Sequence, residues 1–124
     1  DITYALIQAK RNNPQLDIQV IADKANLTDA NSMIAVLAQN NIPVYIASAY
    51  AIMHNKFMVI DNQSVEYGSF NYSTTAATRQ ANNAIWIDNS NIAASYGMKS
   101  VQIKQLLFTK SVSRNILSNH MILV

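Results

Sequence analysis

Cysteine is absent from the chain, so no disulfide holds the fold, and the sequence is compatible with any redox compartment. Apolar runs are all shorter than the roughly 18 to 20 residues that a helical membrane span needs. Glycine and proline occur twice each, which leaves no linker rich in either, and there is no repeat or low-complexity segment. No signal peptide is visible. Acids are few: seven Asp and Glu against nine Lys and Arg, for a net charge of +2. None of the seven follows Asp88, whereas Lys99, Lys104, Lys110 and Arg114 all do. A basic, acid-free stretch suits a polyanion such as nucleic acid; a solvated helix face with ordinary lysines accounts for it equally well. With two histidines and no cysteine, no ligand set for a metal is legible.

What remains is a chain of 124 residues, half of them hydrophobic, enough for one small domain with a core. Residues 2–11 read as a helix ended by Asn12, Asn13 and Pro14. Residues 18–22 form a short apolar strand of the buried parallel type. Thr28 or Asp29 is expected to cap a helix over residues 30–39, with Met33, Ile34, Leu37 and Ala38 on one face. A strand follows at 44–46, then a loop over 47–53. Ser73 or Thr74 starts a short helix that runs to Arg79, and 84–87 is another strand. From Asn89 onward a helix is expected; residues 120–124 are apolar without an assignable period, and His120 has no partner pattern. This alternation is α/β. The division expected is a domain over 1–88 and a basic C-terminal helix or tail over 89–124.

The chemistry concentrates between His54 and Asn71, where the residues read H-x-K-x4-D-x6-G-S-x-N. Lys56 opens an apolar strand to Ile60; a turn follows at Asp61, Asn62, Gln63 and Ser64; Val65, Tyr67 and Phe70 continue as a second strand. A two-residue loop at Asn62 and Gln63 would pair Asp61 with Ser64, Lys56 with Ser69 and His54 with Asn71. Residues opposite one another in an antiparallel pair share a face, as do residues two apart. That register would collect all four polar side chains on one face, and a slip by one would split them.

The residue types fit an anionic phosphodiester. Lys56 offers a point charge to non-bridging oxygens; Ser69 and Asn71 offer neutral hydrogen bonds. An imidazole, whose ordinary pKa lies near neutrality, can attack phosphorus or move a proton, so His54 is the candidate nucleophile. Asp61 reads as a turn residue and Gly68 as a bend or close backbone approach. Arg79 reads as a phosphate contact or a helix-end cation. Trp86 and Tyr72 could stack on bases, although core packing is the expected role of both.

These residues resemble the phospholipase D superfamily, whose signature is the same H-x-K-x4-D-x6-G-S-x-N. Six specified positions at fixed spacing arise by chance roughly once in 10^5 chains of this size or less. The likeness extends over about residues 3–88 and is greatest to the small single-motif bacterial endonucleases, whose motif ends in Gly-Ser-Phe-Asn-aromatic, as residues 68–72 do here. The resemblance implies a mixed β-sheet flanked by helices, forming a single-motif half domain. It implies that His54 forms a phosphohistidine, that Lys56 and Asn71 bind phosphate with Ser69 nearby, and that Asp61 and Gly68 are structural. No cofactor is implied. A second His-Lys pair supplies the leaving-group acid in the family, so a homodimer with a composite site is expected, acting on nucleic acid or phospholipid in a periplasmic or secreted setting. Two departures stand out. A family Glu that orients the imidazole is replaced by Asn82, in the run Gln80, Ala81, Asn82, Asn83. The strand–helix–strand unit that opens family members is not in this sequence, which begins at Asp1, so an N-terminal truncation with an exposed sheet edge is expected.

Overall fold

The computed structural model describes residues 2–108 and 121–123, with side chains from 2 to 103. Lys110, Arg114 and His120 lie outside the described residues, as does the side chain of Lys104. The chain runs through α1 (Ile2–Asn12), β1 (Val20–Asp23), a 3-10 turn (Lys24–Leu27), α2 (Ile34–Gln39), β2 (Val44–Ala47), β3 (Phe57–Ile60), β4 (Ser64–Gly68), α3 (Thr74–Arg79), β5 (Ala84–Asp88), α4 (Ser90–Phe108) and β6 (Met121–Leu123). The six strands form one mixed sheet in the order β2-β1-β6-β3-β4-β5. β1 is parallel to β2 and β6, and the remaining pairs are antiparallel.

Alternation along the strands divides the core in two, because successive side chains point to opposite faces. Val20, Val44 and Met58 pack with Ile7 of α1 and Leu37 of α2 on one face. Ile21, Tyr45, Phe57, Val59 and Val65 pack with Ala93 and Ile103 of α4 on the other. Tyr96 of α4 lies edge-on to Phe57, with ring centroids 4.8 Å apart, and stacks on Tyr67 at 5.4 Å. The architecture is therefore the α/β sandwich expected, a mixed sheet between helices.

Two local expectations are corrected, and one unassigned stretch takes a place in the sheet. α2 begins at Ile34, not near residue 30. Thr28 instead closes the 3-10 turn, and the Asp29 carboxylate accepts the Asn31 N–H at 2.9 Å. That Asx turn satisfies locally the oxygen that a helix cap would need. Residues 121–123, unassigned from sequence, form β6 between β1 and β3. Trp86 is not a core residue: it stands 53% exposed on β5 and donates its indole N–H to Asp88 at 2.7 Å.

Candidate active site

The β3–β4 hairpin that carries the motif pairs Phe57 with Tyr67, Met58 with Glu66, Val59 with Val65 and Ile60 with Ser64. This register is one residue away from the expected one. The loop holds three residues, not two, because Asp61 and Asn62 both adopt positive φ, 53° and 54°, and the Gln63 N–H bonds back to the Ile60 carbonyl at 2.9 Å. Asp and Asn tolerate that left-handed pair better than most residues. Core demand fixes the choice, since Phe57, Val59 and Val65 must share the face that α4 covers.

Ladder parity therefore does not bring the four polar residues together. His54 and Lys56 precede β3, and Ser69 and Asn71 follow β4, so both pairs lie beyond the ladder at the same end of the hairpin. The two arms meet directly there: the Gly68 N–H donates to the Lys56 carbonyl at 3.3 Å. Gly68 is also where β5 crosses closest. A Cβ at this position would lie 2.1 Å from the Asn83 carbonyl oxygen and 2.9 Å from the Ala84 Cα, so no larger residue fits without moving backbone.

Lys56 is half-buried and folds its ammonium onto the carbonyl of His54 at 3.2 Å. Burial pulls that ammonium below the ordinary lysine range. His54 is exposed, and among the described residues nothing hydrogen-bonds to its imidazole or to the Asn71 side-chain amide. Ser69 is engaged. Its hydroxyl accepts the Asn83 N–H at 3.1 Å and donates to the Asn82 side-chain oxygen at 3.3 Å. Asn82, in turn, donates to the Ala76 carbonyl of α3 at 3.2 Å. Asn82 thus braces Ser69 and α3, and among the described residues it does not bond the imidazole.

The turn after β4 is fixed from both sides. The Ser73 N–H bonds the Asn71 carbonyl at 2.7 Å, and the Ser73 hydroxyl caps α3 by accepting the Ala76 N–H at 3.2 Å. The Tyr72 hydroxyl donates to the Glu66 carboxylate on β4. Tyr72 is thus part of the motif's frame, and burial, reinforced by Glu66, pushes its hydroxyl far above the ordinary tyrosine range. Arg79 ends α3 in the exposed position of a helix-end cation. Lys99 is exposed on α4.

Asp23, not singled out from sequence, belongs to the same end of the sheet. One carboxylate oxygen accepts the Ala25 N–H at 2.8 Å and the other the Met53 N–H at 2.6 Å, directly before His54. Those amides, that of Ala25 first, hold its pKa below the usual carboxylate range. Separately, a largely apolar cavity of about 740 Å³ opens beside Phe70, lined also by Met58, Tyr72, Ala77, Ala84 and Trp86. None of His54, Lys56, Ser69 or Asn71 lines it.

The family described as cardiolipin synthase, PLD-like domain, matches residues 1–103. A phospholipase D of Rickettsia typhi is 37% identical over 95 residues, covering 77% of this chain and 46% of that protein. A phospholipase D of Rickettsia conorii is 36% identical over 95 residues, with the same shares. The chain thus spans less than half the length of these curated relatives. Among solved structures, the phospholipase D family member Nuc from Salmonella typhimurium superposes with a TM-score of 0.78 at 30% identity, over 85% of this chain and 70% of that one.

Proposed function

Given that the chain belongs to the phospholipase D-like family, we propose that it hydrolyses phosphodiester bonds through His54, without a metal cofactor, and that nucleic acid is its substrate. The observation that carries this reading is the pairing of an exposed, unbonded imidazole with a partly desolvated ammonium two residues away. A desolvated cation attracts a phosphate oxygen more strongly than a hydrated one, because the local dielectric is lower.

In the proposed reaction, a His54 ring nitrogen attacks phosphorus. A P–N bond forms and the P–O bond to the leaving alcohol breaks. The leaving oxygen takes its proton from a second imidazole, which a two-fold partner copy would supply as that copy's own His54. Water then attacks phosphorus and returns a proton to the second imidazole, and the P–N bond breaks to release the phosphate monoester. Lys56 and Asn71 hold the non-bridging oxygens. Ser69, through Asn82, holds the loop that carries Asn71.

Nucleic acid is favoured by the Gly-Ser-Phe-Asn-aromatic run at 68–72 and by the acid-free, basic sequence after Asp88. Two observations favour a phospholipid instead: the apolar cavity beside Phe70 and the name of the Rickettsia relatives, phospholipase D. A non-catalytic nucleic-acid-binding or dimerisation module is the remaining reading, suggested by Asn82 and its engagement away from His54.

The test is to incubate the protein with end-labelled DNA and RNA, and separately with phosphatidylcholine vesicles, all in excess EDTA, followed by an alkaline detergent quench that spares the acid-labile P–N bond. Cleavage of nucleic acid, with label trapped on His54 and lost in His54→Ala, is the expected result. Choline release without nucleic-acid cleavage would replace the substrate. Turnover that never labels His54, or that stops in EDTA, would overturn the mechanism.

A further inference from the structure

The segment that carries His54 has little holding it. Residues 48–56 contain no helix or strand, and ladder bonds begin only at Phe57. Among the described residues, the hydrogen bond that ties the stretch before His54 to another element is the Met53 N–H on Asp23, across 30 positions of sequence, at 2.6 Å. Met53 is held at its other end too, because its side chain is buried with Ile21 and Phe57. The residue before His54 is therefore fixed through both backbone and side chain, while the imidazole itself is exposed and unbonded.

We infer that Asp23 is a positioning residue for His54. Its carboxylate clamps the end of β1 to the loop and thereby sets where the imidazole stands relative to Lys56. The inference deepens the proposed function, and rests on His54 being the nucleophile.

The choice of an acid follows from the donors that converge on it. Two backbone N–H groups, of Ala25 and Met53, reach two oxygens of one short side chain. A carboxylate has only acceptors, whereas an amide must turn an NH2 toward one of the two donors. Serine keeps a cap on the 3-10 turn and cannot bridge to both. Glutamate adds a methylene to a clamp whose two bonds are already at contact length. A small displacement of a catalytic group costs much more in turnover than in binding, about a hundredfold for roughly 1 Å.

The experiment uses the full chain as Asp23→Asn and Asp23→Ser, with Ser73→Ala as a control that removes a different cap. Three readouts are taken: kcat and KM on bis(p-nitrophenyl) phosphate, the imidazole resonances of His54 assigned by comparison with His54→Gln, and the melting temperature. The expected result is a fall of kcat by about tenfold to a hundredfold with KM changed by less than about threefold, and a shifted or broadened His54 resonance, in both Asp23 variants. Ser73→Ala should leave the resonance in place. Unaltered kcat with an unaltered His54 resonance, in whichever Asp23 variant folds, would overturn the inference, even with a lowered melting temperature. Should the unsubstituted chain turn over neither this probe nor nucleic acid, the proposed function fails, and the His54 resonance alone judges the clamp: a shift supports it and constancy overturns it.

Discussion

At the scale of single residues, the motif mixes groups proposed to touch a substrate with groups that only make room. Gly68 is of the second kind. Alanine there would press its Cβ into the Asn83 carbonyl at 2.1 Å, and backbone cannot yield as a flexible side chain does. Gly68→Ala is expected to cost at least about 2 kcal/mol, at the upper part of what overpacking usually costs, read as a lowered midpoint in urea. A midpoint within experimental error of the parent would show that β5 can move away. The spacing of His54, Lys56, Gly68, Ser69 and Asn71 was legible in the sequence because those residue types are chemically unusual together. The Gly68 contact was legible only as a type, since its cause, Asn83, arrives with a strand that sequence places beside it only after the fold is known. Asp23 was not legible at all. An acid at a strand end is common, and its second partner lies 30 positions away.

At the scale of elements, the hairpin shows how core packing outranks local turn signals. Asn62 and Gln63 suggested a two-residue loop, yet Phe57, Val59 and Val65 had to face α4, and the loop took a third residue to let them. Likewise α2 starts late because Asp29 spends its oxygen on the nearer Asn31 N–H. α1, β2, α3 and β5 follow their sequence patterns closely, since each has a clear period or a clear cap. The bond from Tyr72 to Glu66 joins β4 to the turn before α3, and it makes stability depend on pH. Tyr72 keeps its proton in the folded chain far above the ordinary value of 10.0 and loses it near that value when unfolded. The stabilisation is thus complete below pH 10.0 and declines as pH rises past it. Melting temperature should fall between about pH 9 and about pH 11, and fall less steeply in Tyr72→Phe. Parallel curves for the two proteins would count against a role for this hydroxyl.

At the scale of the whole molecule, one chain holds one His-Lys pair, whereas the proposed reaction uses two imidazoles. The protein is therefore expected to sediment as a dimer. Mixing an inactive His54→Ala chain with unsubstituted chain should lower specific activity below simple dilution, because mixed dimers lack one imidazole. Activity proportional to the unsubstituted fraction, or a monomer active at the lowest concentrations assayed, would remove the composite site. The α/β class was visible in the alternation of patterns, but strand order was not. A three-residue strand such as β6 has no period to read, and its neighbours lie about 60 and about 100 positions earlier along the chain.

That insertion has a consequence in time. β1 and β2 form one ribbon and β3, β4 and β5 another, and among the described residues no ladder joins them except through Met121, Ile122 and Leu123. Both ribbons are complete in sequence by Asp88, 33 residues before Met121 opens the piece that zips them (121 − 88), so through that interval the nascent chain carries two open seams. Chaperone demand and aggregation should peak in that interval, and a stop codon shortly ahead of Met121 should leave them unresolved.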